Sequence, residues 1–158
     1  MKKISLIFLL FSFSCSRTAE NRVPSFTLKT LDGENFNIND YIGKKVIIID
    51  FWATWCPPCR AEIPGFVRLY SKYKEKGVLI VGISLDRGGN AEELVKNFAK
   101  EFGINYPLMM GTEEVAKKFG GIFAIPTTFI INKKGEIIEK IVGYRDESFF
   151  EKKIIENL

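Results

Sequence analysis

Apolar positions along the chain change period from two to roughly three and a half, and the changes mark out the elements. Phe26, Leu28 and Thr30 alternate with their neighbours, Asp32-Gly33 supplies a turn, and Phe36 and Ile38 resume the alternation; the pattern predicts a β-hairpin. Asn39 or Asp40 is placed to cap a short helical turn before Gly43. Val46 to Ile49 is an unbroken apolar run inside a strand expected from Lys45 to Phe51, and Val78 to Ile83 is a second such run. Strands of this composition are buried on both faces. Between them Ile63, Phe66, Val67, Tyr70 and Tyr73 recur at helical spacing, which predicts a helix from Pro57 to Lys76 ended by Gly77. Pro64 removes one backbone bond to Arg60 and is expected to kink that helix.

Further along, Leu94, Val95, Phe98 and Phe102 predict a helix from Ala91 to Phe102, stopped by Gly103. Tyr106 to Met109 reads as a short strand and Glu113 to Phe119 as a short helix. Thr127 to Ile131 and Glu136 to Val142 form a hairpin through Asn132-Lys133-Lys134-Gly135, and a last helix runs from Asp146 to Asn157. Strands alternating with helices place the chain in the α/β class.

The chemistry lies in Asp50-Phe51-Trp52-Ala53-Thr54-Trp55-Cys56-Pro57-Pro58-Cys59-Arg60-Ala61-Glu62-Ile63-Pro64, where a buried strand hands over to a helix. A helix start offers unpaired N–H groups and the positive end of the macrodipole. Cys56 is therefore expected to hold a thiolate, the species that attacks a disulfide. Cys59, one turn deeper, is the more shielded resolving thiol. Pro57 and Pro58 suit a first helical turn, where a missing N–H costs little. Zinc would need about four ligands, yet the chain has no histidine and its only other cysteine is Cys15. A merely structural bridge would close too short a loop to stabilise much. A redox pair is the reading that remains.

That segment, with Ile125-Pro126-Thr127-Thr128-Phe129 downstream, resembles thioredoxin-fold proteins of the TlpA/ResA-like group, which are extracytoplasmic thiol-disulfide oxidoreductases. The likeness runs from Pro24 to the C-terminus. It implies a thioredoxin fold, a central mixed sheet flanked by helices, with an N-terminal β-hairpin and a central helix-strand insertion. It implies a redox disulfide between Cys56 and Cys59, and a cis peptide before Pro126 in a loop that faces the nucleophile and pairs with an extended substrate. Thr127 would line the same groove. Reduction of disulfides in exported proteins, apocytochrome c among the candidates, would be fed by a membrane thiol-reductant donor.

Asp50 ends an apolar run, where a carboxylate is costly unless neutral or paired. Burial would raise its pKa and fit it to exchange a proton with Cys59 through water; the alternative is a strand end open to solvent. Glu62, one turn past Cys59, either assists proton movement or shapes the groove, or merely complements the helix dipole. Trp55 is expected beside the sulfurs on an apolar docking face, and Phe51 and Trp52 in the core. Arg60 reads as a solvated helix residue, and Tyr144 and Arg145 carry no signal.

Composition narrows the remaining choices. With 158 residues and 46% hydrophobic content, one domain with a sizeable core is expected. A net charge of +4 without an arginine-rich block argues against nucleic acid, and the absence of histidine removes Ser-His and Cys-His catalysis. The sulfur pair carries electrons itself, so no cofactor and no metal are called for, and a monomer is expected. Met1-Lys2-Lys3 followed by Ile4 to Phe13 has the size of a signal-peptide core, giving residues 1–14 as a signal peptide. Ser14-Cys15-Ser16 resembles a lipobox, with Cys15 lipidated as the membrane anchor, although Ser12 stands where such boxes carry an aliphatic residue; ordinary cleavage and retention of the segment are the alternatives. Residues 15–23 read as a tether and 24–158 as the domain. Two rival functions remain, a thiol peroxidase of the peroxiredoxin superfamily and a non-catalytic protein-binding module. The peroxidase signature asks for Thr or Ser three residues before its cysteine and Pro seven before. Ala53 and Ile49 hold those places for Cys56, and Cys56 and Trp52 hold them for Cys59.

Overall fold

The computed structural model describes residues 21–158. A short hairpin opens the fold, β1 (Thr27–Lys29) against β2 (Asn35–Asn37). The helical turn after it spans Ile38–Asp40 and is capped by Asn37, whose side chain accepts from the Asn39 amide at 3.0 Å. The cap therefore falls two residues before the expected Asn39, because Ile38 is itself buried and already belongs to the turn. Next come β3 (Val46–Trp52), α1 (Pro57–Tyr73, extended by a 3-10 turn to Lys76), β4 (Val78–Ser84), α2 (Ala91–Glu101), β5 (Leu108–Met110) and α3 (Glu113–Lys118). The chain finishes with β6 (Thr127–Ile131), β7 (Ile137–Val142) and α4 (Glu147–Asn157). α1 runs through Pro64 as one helix.

The main sheet has the order β5-β4-β3-β6-β7. β3 pairs in parallel with β4, and β4 with β5, whereas β6 runs antiparallel to both β3 and β7. The central position of β3 and β4 explains their unbroken apolar sequences, since each presents side chains to two covered faces. Val46, Ile48 and Trp52 face one way, onto Cys59, Ile63, Phe66 and Leu69 of α1, Phe98 of α2, and Phe150 and Ile154 of α4. Ile47, Ile49 and Phe51 face the other way, onto Phe26, Phe36, Val115, Phe119 and Phe129. The mixed sheet, the covering helices and the N-terminal hairpin are those of a thioredoxin fold, with α2, β5 and α3 lying between the second and third strands of its core.

The fold begins ahead of Pro24, so the tether expected over 15–23 ends too late. Val23 is buried, its N–H donates to Gly135 O at 2.9 Å, and Ile137 N–H donates to Asn21 O at 2.7 Å. One apolar residue and two backbone bonds fasten this segment to the turn before β7. The signal peptide over 1–14 and Cys15 lie outside the described residues.

Candidate active site

Cys56 is the N-cap of α1 and has extended backbone angles, φ −94° and ψ 106°. Pro57 and Pro58 occupy the first helical positions and carry no N–H. The first amide the helix can offer is that of Cys59, and it donates to Cys56 Sγ at 3.3 Å. The proline pair thus clears the helix start so that a single donor, backed by the macrodipole, meets the sulfur. The two sulfurs are joined in a disulfide, with 5.3 Å between the Cα atoms. Cys59 is fully buried and Cys56 is 3% exposed. The order of shielding follows the expectation, although Cys56 is more recessed than a sequence reading suggests.

The loop before β6 closes over the sulfurs. Its Ile125–Pro126 peptide is cis, and Ile125 O lies 3.7 Å from Cys56 Sγ. The side chains of Pro126 and Thr127 are buried, and Thr127 donates its hydroxyl to Ala124 O at 2.7 Å, which holds the loop in shape. The surface of this loop is made by Phe123 and Ala124. Trp55, the residue before Cys56, is two-thirds exposed.

Two acids are buried where α1 covers the sheet, Asp50 on β3 and Glu62 on α1 itself. Asp50 is 1% exposed and pairs with Gly82 on one side and Thr128 on the other. Strand alternation turns it to the face that carries α1. Its side chain accepts a hydrogen bond from the Thr128 hydroxyl at 3.1 Å. Burial, then the nearby charge of Glu62, holds its pKa well above the ordinary range, with Thr128 opposing. Glu62 is also buried. Its Oε1 accepts from the Arg145 amide at 2.5 Å, while Oε2 has no partner among the described residues. Burial pushes Glu62 up to about 7, against the Arg145 amide and the Arg145 charge. Tyr106 completes the setting. It is buried, and burial followed by the charges of Asp50 and Glu62 keeps its phenol protonated well beyond the usual range. Two carboxyls with raised pKa values are therefore buried near the start of α1, one on the strand it covers and one on the helix that carries Cys59.

Arg60 lies over the rings of Phe98 and Phe102, 5.4 and 5.3 Å from their centres, so it packs on α2 as a surface residue. Among the described residues no set of three or more His, Cys, Asp or Glu converges as metal ligands would.

Comparison with known proteins gives the family. The AhpC/TSA family model matches residues 19–140. The thiol-disulfide oxidoreductase ResA of Bacillus thuringiensis subsp. konkukian is 38% identical over 120 residues, covering 76% of this chain and 67% of that protein. The chain belongs to the AhpC/TSA family, among its ResA-like thiol-disulfide oxidoreductases. ResA of Bacillus subtilis is 34% identical over 79% of this chain and 68% of its own. A thiol:disulfide interchange protein of Chlorobium tepidum superposes with a TM-score of 0.80 at 38% identity, covering 87% of this chain and 95% of that one. StoA of Bacillus subtilis gives 0.70 at 30% identity, over 82% and 96%.

Several residues of this ResA-like site escape a reading of the sequence. Asp86, 3% exposed, accepts from the Thr54 amide at 2.9 Å, the Thr54 hydroxyl at 2.6 Å and the Ser84 hydroxyl at 2.8 Å. It ties the loop before Cys56 to the end of β4. Its signal is weaker than that of Asp50, since Ser84 and Leu85 separate it from the apolar run that ends at Ile83. Arg145 acts on Glu62 through its backbone amide, which no residue type announces.

Proposed function

We propose that this protein is an extracytoplasmic disulfide reductase, held at the membrane through Cys15, that acts as a monomer on disulfides of exported proteins. In the reduced enzyme the Cys56 thiolate attacks one sulfur of a substrate disulfide, forming a mixed disulfide and releasing the other substrate sulfur as a thiolate. Cys59, giving its proton to Asp50 through water, attacks Cys56 Sγ. The second substrate thiol leaves, the enzyme is left with the Cys56–Cys59 bond, and two electrons have passed to the substrate. A membrane thiol donor returns the pair to the dithiol. The observation that carries this reading is the Cys59 amide directed at Cys56 Sγ beside the Ile125 carbonyl.

Reduction is the direction that the resemblance to TlpA/ResA-like proteins implies. Export is supported by the apolar core 4–13 and by Cys15 after it. Apocytochrome c is one client of suitable chemistry. The peroxidase alternative gains nothing from the site, since Ala53 and Ile49 stand where its Thr or Ser and its Pro belong.

Expression of Cys59→Ser in the native host tests the proposal. Exported proteins are expected to accumulate on Cys56 as mixed disulfides that dithiothreitol releases. Capture of cytoplasmic proteins only would refute the location, and capture of nothing, with the wild-type pair permanently oxidised, would mark an inert bridge. Cys15→Ala should move the protein from the membrane to the soluble fraction.

A further inference from the structure

Three segments meet at the end of the sheet opposite Cys56, and each brings a pair of lysines. Lys44 and Lys45 precede β3, Lys74 and Lys76 lie in the 3-10 turn before β4, and Lys133 and Lys134 belong to the turn between β6 and β7. Backbone and side-chain bonds hold the segments together. Gly43 N–H donates to Lys133 O at 2.7 Å, Val46 N–H to Gly77 O at 2.9 Å, and Lys45 Nζ to Lys74 O at 3.1 Å. Lys44, Lys74, Lys76 and Lys134 are exposed. The acids at this end, Asp40, Glu75, Glu136 and the C-terminal carboxylate, are fewer. Glu136 already accepts from the Asn132 amide at 2.7 Å, and Glu156, in the last turn of α4, pairs with Lys152.

The chain enters the fold at the same end. Asn21 and Val23 are bonded to Ile137 and Gly135, with the exposed Arg22 between them. Six residues separate Asn21 from Cys15, at most about 20 Å of chain. An anchor at Cys15 therefore keeps the lysine end nearest the bilayer, while β3 carries Cys56 about 20 Å further from the point of entry. Positive charge held so close to a bilayer is drawn to anionic headgroups, and the attraction fades within a Debye length of about 10 Å.

We propose that this lysine end seats the domain on anionic lipid headgroups, whose phosphates it recognises, with Cys56 turned away from the membrane toward exported proteins. This rests on the reading of Cys15 as the anchor and adds the orientation of the anchored domain. Each exposed lysine contributes a weak contact, so the seat is held by their number and is lost in salt.

The test mixes the full chain with vesicles of phosphatidylcholine alone, or of phosphatidylcholine with phosphatidylglycerol, and follows trace acetylation of each lysine by mass spectrometry. On the phosphatidylglycerol vesicles Lys44, Lys74, Lys76 and Lys134 are expected to react about fivefold more slowly than on phosphatidylcholine, and to recover in about 0.5 M salt. Lys96 and Lys117, on helices that begin at the other end of the sheet, should react alike on both. Lys74→Gln, Lys76→Gln and Lys134→Gln together should return Lys44 to its phosphatidylcholine rate and leave thiol exchange in solution unchanged. Equal acetylation on the two vesicles, which would leave these lysines to solvent or to an acidic protein, overturns the seat; so does equal slowing of Lys96 and Lys117. Sedimentation of the same samples separates seat from anchor. Protein that sediments with both vesicles without lysine protection keeps the anchor and loses the seat. Protein that sediments only with phosphatidylglycerol, and only at low salt, keeps the seat and loses the anchor. Protein that sediments with neither loses both.

Discussion

The Asp86 carboxylate binds Thr54 twice, taking the backbone amide at 2.9 Å and the hydroxyl at 2.6 Å. Thr54 lies two residues before Cys56, the N-cap of α1, so this pair sets where α1 begins relative to the sheet. Hydrogen bonds to a charged acceptor are each worth about 1.5–3 kcal/mol, and removing the acceptor strands buried donors. Asp86→Ala is expected to cost about 3 kcal/mol or more in urea unfolding, while Asp86→Asn, which keeps an acceptor, should cost less. Cys56 should also react more slowly in both variants at temperatures where they remain folded. Wild-type stability in Asp86→Ala would show that the clamp holds nothing.

Gly82 leaves the space beside Asp50 that other side chains fill. A Cβ there would lie 2.5 Å from Leu108 Cδ2, 3.0 Å from Trp52 Nε1 and 3.3 Å from Tyr106 Cε2. Trp52 and Leu108 are buried, so neither has free room to retreat. Gly82→Ala should cost about 1–3 kcal/mol through overpacking and alter the near-ultraviolet dichroism of Trp52. A change of stability below about 0.5 kcal/mol, within the range of neutral surface substitutions, would contradict this packing.

Much of this arrangement is legible in the residues themselves, and what is not has a common cause. β3 and β4 declare themselves because burial on two faces forces continuous apolar sequence. The cysteine pair and the Ile125-Pro126 loop are found by their motifs. A motif names a loop, however, without saying which atoms face out: Pro126 and Thr127 turn inward and Phe123 turns outward. Val23 looks like part of a polar leader because its partner, Gly135, is more than a hundred residues away. Arg145 contributes an amide that any residue would have. Asp86 is a member that local pattern marks only faintly, because Ser84 and Leu85 stand between it and the apolar run Val78 to Ile83, whereas Asp50 follows Ile49 directly.

In the proposed reaction Asp50 serves only the second half. Asp50→Asn keeps the size of the side chain and an acceptor for Thr128 but cannot take a proton. Formation of the mixed disulfide at Cys56 should be little affected, while its resolution by Cys59 should slow by about 100-fold, the usual scale of a lost general base. Rapid acid quench followed by mass analysis would show the mixed disulfide accumulating. Unchanged decay of that species would remove Asp50 from proton exchange.

Glu62 makes stability depend on pH in a direction opposite to that of a salt-bridged acid. Its pKa is about 7 in the fold, against an ordinary 4.5. Between those values the unfolded chain has released the proton and the folded chain still holds it. The folded state is therefore favoured at the acid end, and the advantage drains away as pH rises, being gone above about 7. The loss amounts to at most about 3 kcal/mol, and Asp50, whose pKa is also raised, acts with the same sign. Wild-type urea stability should therefore be lower at about pH 8 than at about pH 5. Glu62→Gln can still accept from the Arg145 amide but cannot ionise, so it should flatten the decline and leave only the Asp50 part. It should also abolish an inflection near neutral pH in the rate at which Cys59 resolves the mixed disulfide. A decline as steep in Glu62→Gln as in the wild type would place the proton elsewhere.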